Sequence, residues 1–370
     1  MKDSEKQPDA PTDKSWLKPT ERSLDDLKAD YGINKDNTLE RLIEKIETGE
    51  EPDSGALKTG FPKLNRALNG GFSGLSVIGG GPGVGKTTLA LQLGAQIAEK
   101  NNVPFIFFSL EMSRTRIIAR LLGLYCDMSM KELFGGRIVS GPDGEQARVF
   151  EGGKMERYGQ GRDLLRALAD RIFIIDKNDT DAWSIETITY EVAGVEVETR
   201  GVESKIRSIM KACESDKAFV AIDHLQVFPL INYRKDADAG IVLDYRVAEE
   251  RERLVTLMDR FSRIQQNLNI SLLLISQFSR RARQEGPDIS AFLGSSSIEY
   301  LVDVGMALIE PDRAEDNEKK YAPGPNLAKQ ADSELQASRQ VNLAILKNRD
   351  GITGHIPLTF FPAVMRFVEA

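Results

Sequence analysis

Leu75-Ser-Val-Ile-Gly-Gly-Gly-Pro-Gly-Val-Gly-Lys-Thr-Thr88 is the stretch on which the fold turns. Leu75–Ile78 reads as a short strand. Gly80 to Thr87 match GxxxxGK[ST] at every fixed position. Thr87–Glu99 then reads as a helix with Leu89, Leu93 and Ile97 along one side. Strand, glycine loop and helix in that order make a phosphate cradle. Glycines let the backbone of Gly80, Gly81, Pro82, Gly83, Val84 and Gly85 wrap so that successive N–H groups face an anion. The helix N-terminus at Lys86, Thr87 and Thr88 adds a favourable dipole. In such a loop Lys86 reaches the β- and γ-phosphates and the Thr87 hydroxyl ligates Mg²⁺, so the expected ligands are ATP and Mg²⁺.

Further strands are expected on both sides of this unit: Phe105–Leu110, Ile172–Ile175, Phe219–Ile222, Leu272–Ile275 and Val341–Leu346. Helices are expected over Arg114–Leu124 and Val247–Leu268, and a closing hairpin over Ile356–Val368. Short apolar strands alternating with helices specify an α/β fold with a mostly parallel sheet covered by helices on both faces. An NTPase also needs a carboxylate near the metal. Phe219-Val-Ala-Ile-Asp223 is an apolar strand ending in Asp, and Ile172-Phe-Ile-Ile-Asp176 has the same form. Asp223 is preferred, because the next β–α unit ends in Ser276-Gln277, suited to sensing a γ-phosphate. Hydrolysis needs a base for water. Glu111 closes the first strand after the cradle helix, expected beside the cradle strand or one removed, so its end faces the γ-phosphate; the alternative is that Glu111 caps the next helix.

Composition sets the outer limits. The chain has 370 residues, 41% hydrophobic, with a formal net charge of −7. Two cysteines, Cys126 and Cys213, cannot form a disulfide framework or a four-cysteine zinc site, and two histidines exclude a histidine-rich metal centre. A reducing, cytoplasmic setting fits. No apolar run of ~18 residues offers a membrane span, and the first residues lack the apolar core of a secretory signal. The acidic balance argues against a histone-like nucleic-acid binder but leaves room for a local basic channel.

Residues 1–55 read as an arm, polar with three prolines in the first 20, followed by amphipathic segments at Ser23–Asp30 and Leu39–Ile46. The second reads either as a solvated helix on its own domain or as a linker helix docking on a neighbouring subunit. Residues 56–370 read as the core. Two stretches interrupt it: 135–161, with eight glycines, expected to be an irregular insertion, and 311–340, polar with Pro311, Pro323 and Pro325, expected to be a surface loop.

These residues resemble the DnaB-like replicative helicases, the hexameric branch of the RecA superfamily. The matching segments are Thr59-Gly-Phe-Pro-Lys-Leu-Asn65, the cradle, Phe108-Ser-Leu-Glu-Met-Ser113, Ile222-Asp-His-Leu-Gln226, Ile275-Ser-Gln277, Ser297-Ile-Glu-Tyr-Leu-Val-Asp303 and Lys347-Asn-Arg-Asp-Gly351. The resemblance covers about residues 55–368 and implies a RecA-like P-loop NTPase core. It implies that Glu111 is the catalytic glutamate and that Gln277 couples nucleotide state to DNA. It further implies that Lys347 and Arg349 act on the ATP of the adjacent subunit, Arg349 as an arginine finger. Residues i and i+2 of a strand share a face, so both cations can point at one phosphate cluster; surface salt bridging is the alternative. Arg120 matches a family arginine. Related RadA proteins also carry Lys-Asn-Arg-x-Gly but typically bear a four-cysteine zinc module, which two cysteines cannot make.

Three departures stand out. Where the family loop typically reads Leu-Arg-Glu-Ser-Gly and contacts single-stranded DNA, this chain has Phe292-Leu-Gly-Ser-Ser296, with Leu293 in place of the arginine. Gly294, Ser295 and Ser296 could still bind phosphate, with charge from Arg280, Arg281 and Arg283. His224 stands where the family usually has tyrosine and reads as a packing substitution rather than a catalytic group. The usual helical N-terminal domain does not fit into about 55 residues. The resulting expectation is a hexameric, ATP-driven helicase or translocase on single-stranded DNA, partnered by loader or replication proteins and not by membrane. The alternatives are a RecA-type ATPase switch that does not unwind, and an ATP-stabilised oligomeric scaffold.

Overall fold

The computed structural model describes residues 47–48, 55–140, 146–179, 185, 188–192, 195–199, 201–228, 232–236, 240–244, 250–277, 300–310 and 338–370. The chain divides into two units, residues 1–54 and 55–370. In the first unit only Glu47 and Thr48 are described, so the amphipathic segments expected at 23–30 and 39–46 lie outside the described residues.

In chain order the second unit contains α1 (Pro62–Ala67), β1 (Leu75–Gly80), α2 (Lys86–Asn101), β2 (Phe105–Ser109), α3 (Arg114–Cys126), α4 (Met130–Gly135), β3 (Arg137–Ser140) and β4 (Gln146–Val149). It continues with α5 (Lys154–Ala167), β5 (Ile172–Asp176), β6 (Ile188–Val192), β7 (Val195–Thr199), α6 (Val202–Ala212), β8 (Phe219–Asp223), β9 (Asn232–Asp236) and β10 (Gly240–Asp244). Then follow α7 (Glu250–Leu268), β11 (Ser271–Ile275), β12 (Val304–Ile309), β13 (Arg339–Asn348), β14 (Gly354–Phe361) and β15 (Arg366–Glu369). Among the described residues no helix is long and apolar enough to cross a membrane.

Nine strands form one sheet in the order β15-β14-β13-β12-β1-β11-β8-β2-β5. The six from β12 to β5 run parallel; β13, β14 and β15 are antiparallel. The inner strands β1, β2, β8 and β11 are buried at every residue, which is why each reads as an unbroken apolar run rather than an alternating one. Successive residues still face opposite ways. Phe105 and Phe107 enter one core layer with Phe72, Phe219 and α2; Ile106 and Phe108 enter the other with Ile206 of α6 and Leu257 and Phe261 of α7.

Helix α2 is buried nearly all round, as a helix between a sheet and further strands must be. It approaches β2 so closely at Gly94 that a Cβ there would lie 2.2 Å from the Phe105 ring. On its other side Gln92 closes the sheet edge. Its Nε2 donates to the Phe367 carbonyl at 2.8 Å and its Oε1 accepts from the Phe367 N–H at 2.7 Å. Both main-chain groups of β15 that would otherwise face outward are thereby satisfied.

The structure departs from the sequence reading at three places in this unit. The described residues of 135–161 are not irregular: they hold the paired strands β3 and β4 and the first half of α5. Gly159 and Gly161 disguise the helix, since glycine costs about 1 kcal/mol relative to alanine inside one. Gly161 is there for packing, because a Cβ would lie 2.4 Å from the Cys126 amide nitrogen of α3. The strand β12 directly follows the Ser297–Asp303 segment and joins the parallel half of the sheet to the antiparallel half. Finally, β2 is neither beside β1 nor one removed from it: β11 and β8 both intervene. Of the polar stretch 311–340, residues 311–337 lie outside the described residues, and its last two residues belong to β13.

Candidate nucleotide-binding site

The cradle forms as the residue types demand. Gly83 and Gly85 take left-handed φ values of +75° and +102°, and Gly85 is the N-cap of α2, leaving the first N–H groups of the helix without a side-chain cap. Lys86 folds back over the loop, its Nζ donating to the carbonyls of Gly80 at 2.9 Å and Gly81 at 2.8 Å. Gly85 also abuts the carboxyl-terminal strands: a Cβ there would lie 2.7 Å from Phe367 Cζ and 3.3 Å from Phe360 Cε1. Those two rings stack with centroids 4.2 Å apart.

A cleft of about 530 Å³ opens in front of the cradle. Lys86, Thr87, Glu111, Asp223 and Gln277 all line it, so the sheet gathers sequence-distant candidates into one site. Thr87 Oγ1 donates to Asp223 Oδ2 at 2.8 Å. Asp176, the competitor, lies on the edge strand β5 and accepts the Arg114 N–H at 2.7 Å and the Asn178 N–H at 3.0 Å. It caps α3, and the Arg114 N–H holds its carboxyl below the usual range. Glu111 does not cap α3, whose N-cap is Ser113.

Burial pushes the Asp223 carboxyl above its ordinary value, with the Thr87 hydrogen bond opposing. A buried carboxylate beside a hydroxyl suits a cation. Among the described residues no cluster of three or more His, Cys, Asp or Glu could cage a metal. Mg²⁺ fits such a place, because it is held by one or two protein groups together with substrate phosphates. Arg120 also lines the cleft; burial lowers its pKa and the charge of Asp223 raises it.

Sequence reasoning missed the other wall. Arg339, Phe360, Pro362 and Met365, from β13 and the β14–β15 hairpin, line the cleft opposite α2. Nothing in a local sequence window signals them. The sequence reads His224 as packing, yet its Nδ1 lies 3.2 Å from Glu111 Oε1. A larger apolar groove of about 700 Å³ runs along β5 between Ile118, Leu165 and Ile174, but it presents no phosphate-binding loop.

Lys347 and Arg349 lie elsewhere. β13 runs antiparallel to β12, so Asn348 pairs with Val304, which in turn pairs with Ser76 near the start of β1. The cradle follows the other end of β1. Five residue steps at about 3.3 Å each separate Leu75 from Gly80, about 17 Å. Arg349 is thus at the opposite end of the strands from its own cradle. It also falls one residue past β13, so the shared-face argument for the pair does not hold through to Arg349; the chain has turned to let its N–H reach the Asp303 carbonyl at 2.9 Å. Its guanidinium pairs with the Asp303 carboxylate and donates to the Tyr300 carbonyl at 3.0 Å, with the side chain 53% exposed. Arg280, Arg281, Arg283, Gly294, Ser295 and Ser296 lie outside the described residues.

The family model for the DnaB-like helicase C-terminal domain matches residues 56–369. The chain belongs to this family. Among curated relatives, the DnaB-like chain is 24% identical over 337 residues to the replicative DNA helicase DnaB of Treponema pallidum, covering 90% of this chain and 60% of that protein. It is 24% identical over 320 residues to DnaB of Geobacillus stearothermophilus, covering 85% and 56%. It therefore spans about 60% of the length of the curated relatives it matches. DNA repair protein RadA of Bacillus subtilis is 41% identical, but over only 22% of this chain. Two solved structures share the fold. One is an ATPase domain solved on its own (TM-score 0.62, 19% identity, 90% of this chain and 99% of that one). The other is a DnaB-like replicative helicase studied with primase (TM-score 0.63, 20% identity, 93% and 70%). The RecA-like sheet of this DnaB-like chain agrees with both.

Proposed function

We propose that this chain is the motor of an ATP-driven ring helicase that moves along single-stranded DNA, assembled as a hexamer with one nucleotide at each subunit interface. The observation that carries the reading is the split of the machinery between two ends of one sheet. The cleft holds a lysine, a hydroxyl, two carboxylates and a glutamine, while Arg349 stands about 17 Å along the strands at the far end, out of reach of its own nucleotide, and Lys347, level with Val77, stands about 10 Å along them from Gly80 and two strands across. Such a site is complete only when a neighbour supplies the cations, and a head-to-tail contact of this kind closes into a ring or continues as a helix.

The base end of ATP would lie toward Phe360, Pro362 and Met365, and the phosphates in the N–H cradle, with Lys86 leaving the Gly80 and Gly81 carbonyls for the β- and γ-phosphates. Thr87 and Asp223 would hold Mg²⁺, which supplies positive charge across those phosphates. Glu111 accepts the proton of the attacking water as its oxygen bonds to the γ-phosphorus and the β–γ bridging bond breaks, releasing ADP. Gln277, at the end of β11, is placed to register the loss of the γ-phosphate. The segment that follows it in sequence, 280–296, carries the candidate DNA contacts. Replication proteins, such as the primase of the solved DnaB-like relative, are the partner class that fits.

The test is ATP hydrolysis with and without single-stranded DNA, followed by strand separation of a forked duplex. Arg349→Ala is expected to lower hydrolysis by about 10³–10⁵-fold while leaving nucleotide affinity nearly unchanged. An Arg349→Ala protein with full activity would sink the interface assignment. Leu293 in place of the family's arginine favours a second reading, an ATPase switch that binds partners without unwinding. DNA-independent hydrolysis with no strand separation would select it.

A further inference from the structure

We propose that His224 is a positioning residue for Glu111, holding one carboxylate oxygen so that the other is aimed at the attacking water. The inference rests on the reading of Glu111 as the base.

His224 is 4% exposed, whereas the Glu111 side chain is 49% exposed. An exposed glutamate samples several rotamers, and a base that must meet one water in one geometry gains from having them restricted. Among the described residues, His224 Nδ1, at 3.2 Å from Oε1, is the one polar group holding the carboxylate. The ring is buried and its main chain is held. His224 follows Asp223 at the end of β8, and its main-chain carbonyl accepts from the Val227 N–H at 3.3 Å in the short 3₁₀ turn Leu225–Val227. The ends of β2 and β8 are also tied together: Ser109 pairs with Asp223, and the Leu110 N–H donates to the Asp223 carbonyl at 2.9 Å. That bond brings Glu111, the next residue on one strand, against His224, the next residue on the other.

Nδ1 carries a hydrogen in both the imidazolium and the Nδ1–H tautomer, so either form can hold a carboxylate oxygen at this distance and the device needs no change of charge. It leaves Oε2 open to the cleft, where a water beside the γ-phosphate would stand. Packing alone accounts for a buried ring here but not for Nδ1 standing 3.2 Å from a carboxylate oxygen.

The experiment compares steady-state ATP hydrolysis and nucleotide affinity for wild type, His224→Leu, His224→Asn, Glu111→Gln and the double variant His224→Leu/Glu111→Gln, each as full chain. A misplacement of about 1 Å costs about 10²-fold in rate. His224→Leu is therefore expected to lower kcat by about 10–100-fold, with KM and nucleotide affinity within about twofold. Asparagine, whose side-chain N–H can stand near the Nδ1 position, is expected to restore most of kcat. In the Glu111→Gln background the leucine substitution should have no further effect, since the two act as a unit. If Glu111→Gln abolishes hydrolysis while His224→Leu keeps kcat, the positioning role is wrong and the base reading stands. Equal losses for the leucine and asparagine variants, or a further loss in the double variant, would also overturn it. Full hydrolysis by Glu111→Gln would overturn the base reading itself.

Discussion

Replacing Gln92 by leucine should uncouple the cradle helix from the strand that backs it. The amide of Gln92 is 3% exposed and makes two hydrogen bonds to one residue, donating to the Phe367 carbonyl and accepting from its N–H. Leucine has a similar volume, so no large cavity opens. What is lost is the pairing of one buried donor and one buried acceptor on the backbone of β15. Each unsatisfied group costs about 1–3 kcal/mol, so Gln92→Leu is expected to cost about 2–6 kcal/mol in urea unfolding. Gln92→Glu keeps the acceptor, but an ionised carboxylate there is a buried, unpaired charge with one oxygen against the Phe367 carbonyl, so it should cost at least as much as leucine. Loosening β15 also frees Phe367, which closes on Gly85, so nucleotide affinity should fall with stability. A Gln92→Leu protein within about 0.5 kcal/mol of wild type would refute the reasoning, because it would mean that water or another strand satisfies the edge.

Three further outcomes are expected. Gly159→Ala and Gly161→Ala should have opposite signs: a Cβ at 159 meets nothing within 4 Å and should gain about 0.5–1 kcal/mol, whereas one at 161 lies 2.4 Å from the Cys126 backbone and should cost about 1–3 kcal/mol, read from the shift of the urea midpoint. Glu132 accepts the Ser129 N–H in a capping box and pairs with Lys154, and these hold its carboxyl down to about 2, from an ordinary 4.5. A depressed folded pKa stabilises above the unfolded value and loses that stability as pH falls from 4.5 toward 2, so Glu132→Gln should show a shallower fall in melting temperature across that window. Thr87→Ala should weaken binding of ATP in the presence of Mg²⁺ while leaving Mg²⁺-free binding nearly unchanged; equal loss in both titrations would argue against Thr87 as a ligand.

The phosphate cradle and the inner strands were legible because their signals are local. A glycine loop between strand and helix occupies a dozen residues, and a strand buried on both faces announces itself as an apolar run. Form alone narrows the metal carboxylate to two candidates, and Ser276-Gln277 in the following unit is what favours Asp223 in the sequence; that β8 lies two strands from β1 while β5 is at the edge is visible only in the sheet. Strand order is a non-local property, which is why the sequence places β2 too near β1. Helix α5 is hidden by glycines whose purpose is contact with α3, a tertiary fact that outweighs helix propensity. The far wall of the cleft is invisible for the same reason, since Phe360 and Met365 stand more than 270 residues after the cradle in sequence. The nearness of His224 to Glu111 is not legible in the sequence, because it depends on the cross-strand register that pairs Ser109 with Asp223.

The stacked Phe360–Phe367 pair beside Gly85 has a practical side. One ring of a stacked pair lines the nucleotide cleft and the other touches the turn that must wrap phosphate. The chain's two tryptophans, Trp16 and Trp183, lie far from this place in sequence. An indole introduced as Phe360→Trp would therefore give an optical signal from inside the cleft, without a labelled nucleotide. By the same contact, a pull applied along β15 would bear on the wall of the site, so force on this strand and nucleotide affinity should be coupled.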